Sequence, residues 1–336
     1  MSLRDLIIEK IEDSETGNEV LNEVGFILFK PEHKGRALDL LRQKKMSENL
    51  GDELLSRLQK VCQKHGHEQV KKLIEDCKQG KVMSSDSLTK IGPINLGNGL
   101  STVECEFLKE TIGWAGKSGG KTEDGAGERA LILLSGGSEK PPNDGRGDIK
   151  CGDSALEVKG MSSRLSHSGS PKVIEVKKKL AQWLKENGEK GVEDKDFANK
   201  GKYSYNPNKS GLKKIEEDCI KYGWDLGGFL STIIGASFRG LTEKQISDGK
   251  REFMNSDGTM IDFEKFIVVW ARFEFMEYID TTRCCGIGFV NVENLNYHFF
   301  PDEVSFSRAV GDKKFNIGCS INWNSGRTAT LQYTLN

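Results

Sequence analysis

Apolar residues recur at helical spacing through the first eighty positions. Leu3, Leu6, Ile7 and Ile11 fall three and four apart, as do Leu54, Leu55, Leu58 and Val61. The pattern predicts three or four amphipathic helices in a helical N-terminal region, 1–80, with Pro31 and Gly35 separating two of them and Ser47-Glu48-Asn49 opening the third. Over 81–127 glycine, serine and threonine displace the periodic apolar positions, which predicts a loop region with one short helix at 105–112. A helix entered through glycines follows in Gly125-Ala126-Gly127-Glu128-Arg129-Ala130-Leu131-Ile132-Leu133-Leu134, then a turn-rich, exposed connection over 135–145. Beyond it the pattern predicts a polar loop from Met161 to Ser170, a helix from Val173 to about Asn187, and largely helical chain from Ile215 to Ile279. The last region, 281–336, is β-rich, with strands at Gly286–Val292, Val304–Phe306, Phe315–Gly318 and Thr328–Tyr333.

Between Gly147 and Gly160 the period changes to two. Gly147-Asp148-Ile149-Lys150 and Leu156-Glu157-Val158-Lys159 read as two strands joined by the turn residues Cys151-Gly152-Asp153-Ser154. Alternation puts Glu157 and Lys159 on one face, with Leu156 and Val158 on the other. Asp148 comes close enough across the hairpin to meet Glu157. Two carboxylates and an ammonium then converge, and the carboxylates call for a cation between them, because like charges otherwise raise one of their pKa values.

Asp148, eight intervening residues and Glu157-Val158-Lys159, with Glu128 on the preceding helix, resemble the PD-(D/E)XK, or restriction-endonuclease-like, nuclease superfamily. The matching segment spans about Gly125 to Gly160, and Gly147 stands where the family name has proline. The resemblance implies an α/β (α+β) fold, a core sheet flanked by helices within 128–280 that the C-terminal strands may complete. It also implies metal-dependent hydrolysis of DNA phosphodiesters. Asp148, Glu157 and the backbone carbonyl of Val158 would hold Mg2+, with Mn2+ as a substitute. Lys159 would orient the attacking water, and Glu128 would assist through a second metal or a bound water. Extra helices and a β-rich end suit a restriction- or homing-type endonuclease, and cutting both strands suits a homodimer. Structure-specific or phage DNA-processing cleavage stays open, as does a non-catalytic DNA-binding or assembly protein that keeps the fold.

A formal charge of −1 provides no global attraction to nucleic acid, so DNA contacts must come from local lysine clusters. Lys195 to Lys214 holds six lysines against one aspartate, interleaved with aromatic residues. Lys200, Lys202, Tyr203, Tyr205 and Lys209 are its DNA-binding candidates, beside Lys117 and Lys121 in the glycine-rich region. Arg164 and His167, in the polar loop beside the site, could touch a phosphate, but the favoured reading is plain loop residues. Ala115–Thr122 satisfies a loose phosphate-loop pattern, but no buried strand precedes it and two acids follow. Cys62, His65 and His67 lie close together without zinc spacing. Phe253 occupies the first ligand position of an EF-hand-like run, which disfavours calcium. Eight cysteines without a CxxC pair or disulfide framework fit a reducing, intracellular, cytoplasmic setting. Arg272 and Glu274 interrupt the most apolar run, so no membrane span is expected.

Overall fold

The structure, a computed structural model, describes residues 31–118, 121–122, 125–142, 147–160, 162–165, 173–197, 201–203, 205, 208–320 and 330–336. The fold is mixed α/β, with eleven α-helices among the described residues. Two compact units divide the chain, Met1–Gly160 with Val292–His298, and Met161–Asn291 with Phe299–Asn336. The division at Gly160 falls inside the span 128–280 that the sequence reading treats as one core.

In the first unit, α1 (Pro31–Gln43), α2 (Gly51–His65) and α3 (His67–Lys78) pack together. Pro31 begins α1, where its missing N–H costs nothing, and Gly35 lies within that helix instead of separating two. The helix expected over Leu3–Ile11 lies outside the described residues. Ser47 caps a short 3-10 turn, Glu48–Leu50, that leads into α2. Leu54, Leu58 and Val61 of α2 are buried, as are Val70, Leu73 and Ile74 of α3. Each such side chain contributes roughly 1.5–3 kcal/mol on leaving water.

Short strands β1 (Met83–Ser84) and β2 (Gly92–Asn95) follow. Next comes α4 (Thr102–Ile112), which starts three residues before the expected position because Ser101 and Glu104 form a capping box. Strands β3 (Lys117–Ser118) and β4 (Lys121–Thr122) pair antiparallel, so the phosphate-loop segment is a small hairpin here and not a strand-to-helix turn. Helix α5 (Glu128–Leu134) is buried on all sides, including Glu128 and Arg129. Residues 135–139 of the connection after it form short strands where the sequence predicts exposed turn. Strand β5 (Ser135–Gly136) pairs parallel with β1, and β6 (Ser138–Glu139) pairs antiparallel with β7 (Ile149–Cys151). Ser135 and Ser138 are buried, and the Ser138 hydroxyl donates to the carbonyls of Ile132 and Ser135. Strand β8 (Ser154–Lys159) completes the expected hairpin with β7.

The second unit begins with β9 (Ser162–Arg164), where the sequence reads as polar loop. Helices α6 (Val173–Glu186), α7 (Lys209–Tyr222), α8 (Leu226–Ser237), α9 (Glu243–Phe253) and α10 (Phe263–Thr282) follow. Then come β10 (Ile287–Val290), β11 (Asn296–Phe300), whose first three residues are counted with the first unit, α11 (Glu303–Gly311), β12 (Phe315–Ser320) and β13 (Thr330–Leu335). Residues 304–306, expected as a strand, lie in α11. The Asp302 side chain accepts from the Ser305 N–H at 2.7 Å, an N-cap, and Phe306, Ala309 and Val310 supply a buried helical face. Strands β12, β13 and β9 form an antiparallel three-stranded sheet in that order. Phe289, Phe300, Phe306, Phe315 and Tyr333 cluster in the core, with ring centroids 5.0 to 6.3 Å apart.

Candidate active site

The hairpin register sets the geometry. Ile149 lies opposite Leu156, and the Asp148 N–H donates to the Leu156 carbonyl at 2.8 Å, which extends the ladder by one residue and sets Asp148 across from Glu157. Gly147 makes that entry possible. Its φ of 61° is in the left-handed region, and a Cβ there would lie 2.7 Å from the Leu156 carbonyl oxygen. Proline, fixed near φ −65°, cannot adopt this conformation.

The Asp148 carboxylate accepts a hydrogen bond from the Val158 N–H at 2.9 Å. Burial, then the Glu157 charge, pushes the Asp148 carboxyl up to about 6, against the opposing pull of Lys159 and the Val158 N–H. Glu157 is itself buried, and its Oε1 lies 2.5 Å from the Lys159 ammonium. Strand alternation therefore gives the shared face expected of Glu157 and Lys159. Glu128 enters from α5. Its Oε1 accepts from the Gly125 N–H at 2.5 Å, and its Oε2 lies 3.6 Å from the Lys140 ammonium. Gly160, just past Lys159, would bring a Cβ within 3.6 Å of the Ala126 methyl, so the end of β8 and the approach to α5 are neighbours.

Lys140 is the charged residue that the sequence reading misses. It sits just after β6 in the stretch read as exposed turn, and only the fold brings it to Glu128. Its charge also acts on Asp148. Among the described residues, no group of three or more His, Cys, Asp or Glu side chains is arranged to hold a metal ion. The donor set still suits a hard cation, because Asp148 and Glu157 offer oxygen ligands whose mutual repulsion a cation would relieve.

The DNA-binding candidates divide. Tyr203 and Tyr205 are buried, 2% and 1% exposed, and donate their hydroxyls to Glu189 and Asp218 at 2.7 and 2.8 Å. They are core residues of the second unit, and their faces are not presented for stacking on bases. Lys202 is exposed but paired with Glu189 at 3.0 Å, and Lys209 is exposed at the start of α7. Lys117 lies on β3 opposite Thr122, and Lys121 lies on β4 opposite Ser118. Lys200 and His167 lie outside the described residues.

Of the Cys62, His65 and His67 group, Cys62 and His67 do approach, with Sγ 3.4 Å from Nδ1. His67 also meets His33, whose Nε2 is 3.1 Å from the same Nδ1 with the ring planes 8° apart. That is an imidazole–imidazole hydrogen bond. A groove of about 690 Å³ lined by Phe263, Ile267, Val268, Phe315 and Ile317 lies in the second unit and contains none of the candidate residues. No helix among the described residues is long and apolar enough to cross a membrane. Compared with known proteins, the chain matches no protein family, no curated protein and no solved structure.

Proposed function

We propose that this protein is a metal-dependent DNA endonuclease that hydrolyses phosphodiester bonds, with Asp148, Glu157 and Lys159 at its reacting centre. The observation that carries the reading is the hairpin end, where two carboxylates face each other across the strands and a lysine stands two residues beyond the second. Asp148 and Glu157, with the Val158 carbonyl, are the ligands for Mg2+, and Mn2+ is the natural substitute. When bound, the ion supplies charge neutralisation of the phosphate and acidifies a water molecule.

The chain's own groups do the rest. The Val158 N–H holds the Asp148 carboxylate in place, and the Glu157 carboxylate holds the Lys159 ammonium at the same strand end. Lys159 is thereby positioned to orient a water and to meet negative charge developing on the phosphate oxygens. Lys202 and Lys209, both exposed, together with Lys117, Lys121 and Lys200, are the candidates for sequence-independent contact with the DNA backbone. Restriction- or homing-type cleavage by a homodimer is the form proposed.

The test is a nicking assay on supercoiled plasmid and linear duplex with Mg2+, Mn2+ or chelator, run beside Lys159→Ala. Metal-dependent cutting that the variant lacks is the expected result, and discrete bands would mark sequence reading. Cutting that persists in Lys159→Ala would put the reacting centre elsewhere.

A second reading, a DNA-binding or assembly protein without catalysis, draws on the Glu157–Lys159 ion pair, which engages one of the two carboxylates. DNA binding that is indifferent to Mg2+, with no cleavage of duplex, branched or single-stranded substrates, would favour it.

A further inference from the structure

A pocket of about 470 Å³ lies in the first unit, where the ends of α1 and α3 meet the β5–β6 connection, and none of the residues proposed for the reacting centre lines it. One wall is bare backbone. A Cβ on Gly80 would lie 2.7 Å from the Gly136 Cα, and one on Gly136 would lie 2.5 Å from the Gly80 carbonyl oxygen, so two main chains cross there with no room for side chains. The rest of the lining is polar, Gln43, Lys44, Lys78 and Glu139 included, and among the described residues no apolar side chain faces the pocket. Lys44 is 4% exposed, and its ammonium donates to the Ser135 carbonyl and, at 3.3 Å, to the Ser138 carbonyl. An ammonium has three N–H donors, so these neutral acceptors leave one donor and the whole charge over. Among the described residues no carboxylate forms an ion pair with it. Glu139, the acid on the pocket wall, is held instead by Lys45 at 2.9 Å and Lys150 at 3.1 Å. The thiols of Cys77 and Cys151 act on Lys44, and burial pushes Cys77 up to about 12, which keeps it neutral. Burial accordingly lowers the pKa of Lys44 itself.

We propose that this pocket binds a sugar or polyol phosphate monoester, with Lys44 as the anchor of the phosphate and Lys78 beside it. The proposal does not depend on the nuclease reading. A buried charge is costly unless it is paired, and a phosphate oxygen gives the Lys44 ammonium both a counter-charge and an acceptor for its third N–H. Lys78 is loosely held, 3.8 Å from a Glu75 oxygen that already lies 3.0 Å from Arg36. Two ammonium groups match the two charges of a monoester above its second pKa of about 6, whereas a carboxylate would answer only one of them. The polar lining selects the other end of the ligand. Without apolar side chains the pocket has nothing to cover a base or an acyl chain, while Glu139 and Gln43 can accept from hydroxyl groups, and the volume leaves room beyond the phosphate. A free sugar phosphate and the 5′-phosphate end of a DNA strand share this chemistry.

The test is calorimetric titration of the full chain with ribose 5-phosphate, ribose and inorganic phosphate, beside Lys44→Met and Lys78→Gln. Ribose 5-phosphate is expected to bind and ribose is not. Affinity for the ester should fall at least about tenfold in Lys44→Met, the scale of losing one hydrogen bond to a charged group, and by less in Lys78→Gln. Lys44→Met also strands two carbonyls, so its fold is checked by circular dichroism and melting. Lys78→Gln removes a side chain that is 26% exposed and makes no such bonds to β5 or β6, so it decides the matter if Lys44→Met does not fold. A 5′-phosphorylated oligonucleotide run beside its 5′-hydroxyl form separates the sources. Binding of the phosphorylated strand alone supports the strand end, and binding of ribose 5-phosphate with neither strand supports the free ester. Failure of every phosphate compound to bind, ribose bound as tightly as its phosphate, or inorganic phosphate bound in place of any ester would overturn the proposal. So would unchanged affinity in a folded Lys44→Met or in Lys78→Gln, which would leave Lys44 as a staple between α1 and the β5–β6 connection.

Discussion

Each unit buries carboxylates, and the two do so in opposite ways. In the second unit the side chain of Glu274, on α10, accepts from the Trp270 indole N–H at 3.0 Å, the Leu331 N–H at 2.8 Å and the Tyr333 hydroxyl at 2.6 Å. Every donor is neutral and belongs to the core, so this carboxyl ties α10 to β13. In the first unit Asp148 has one neutral donor, the Val158 N–H, but it faces a second carboxylate, and ammonium groups stand at the end of the strand and beside α5. A single carboxyl ringed by neutral donors is finished as it stands. Two facing carboxylates repel each other, and a cation between them would relieve that repulsion. Burial of an acid therefore does not mark a reactive site; the company it keeps does.

Substitutions should separate the two sites by what they damage. Asp148→Ala is expected to reduce plasmid cleavage by at least about a hundredfold, the scale of losing a main electrostatic contributor at a reacting centre, with the thermal melt little changed. Glu274→Ala should do the reverse. It strands three buried donors, each of which costs about 1–3 kcal/mol unsatisfied, so a loss of roughly 3 kcal/mol or more is expected in denaturant unfolding. If Glu274→Ala proved as stable as wild type while Asp148→Ala unfolded, the assignment of roles would be inverted.

pH sharpens the contrast further. Burial pushes the Glu274 carboxyl up to about 8 despite its three donors. The folded state therefore keeps a proton that the unfolded chain releases near pH 4.5. The stabilisation from that proton is complete below about pH 4.5 and is lost as pH rises through about 8. The melting temperature should fall across this window, and Glu274→Gln should flatten the fall with or without Mn2+. At Asp148, raised to about 6, the same sign holds between about pH 4 and 6. Here, however, a bound ion competes with the proton. Mn2+ affinity should rise up to about tenfold per pH unit in that interval and level off above it. An affinity that is flat from pH 4 to 7 would detach Asp148 from the ion.

The contrast also separates what the sequence carries from what only the fold supplies. Asp148, Glu157 and Lys159 were legible because strand periodicity is local: ten residues and one turn determine which side chains share a face. Lys140 was not, since its meeting with Glu128 depends on β6 pairing with β7 across the undescribed residues 143–146, and a turn-rich stretch gives no sign of pairing. Tyr203 and Tyr205 misled for a related reason. Aromatic residues among lysines resemble a nucleic-acid surface, but the acids that receive their hydroxyls, Glu189 and Asp218, lie fourteen and thirteen residues away. Val304–Phe306 has strand-like residues, and the cap from Asp302 with the buried face of Phe306, Ala309 and Val310 makes it helical.

The smallest effect expected is at Gly147, and it bears on why this site departs from the pattern it resembles. With φ at 61° and the Leu156 carbonyl oxygen 2.7 Å from any added Cβ, Gly147→Ala is strained twice over, by conformation and by contact. The left-handed conformation alone costs an L-residue roughly 1–2 kcal/mol. A loss of about that size in unfolding experiments is expected, with some displacement of Asp148 from the Val158 N–H. Gly147→Pro should be worse, since the ring excludes the required φ altogether. If proline were accepted here without loss of stability, the hairpin would have to enter β7 by a different backbone path, and the facing of Asp148 and Glu157 that carries the proposed chemistry would have to be redrawn with it.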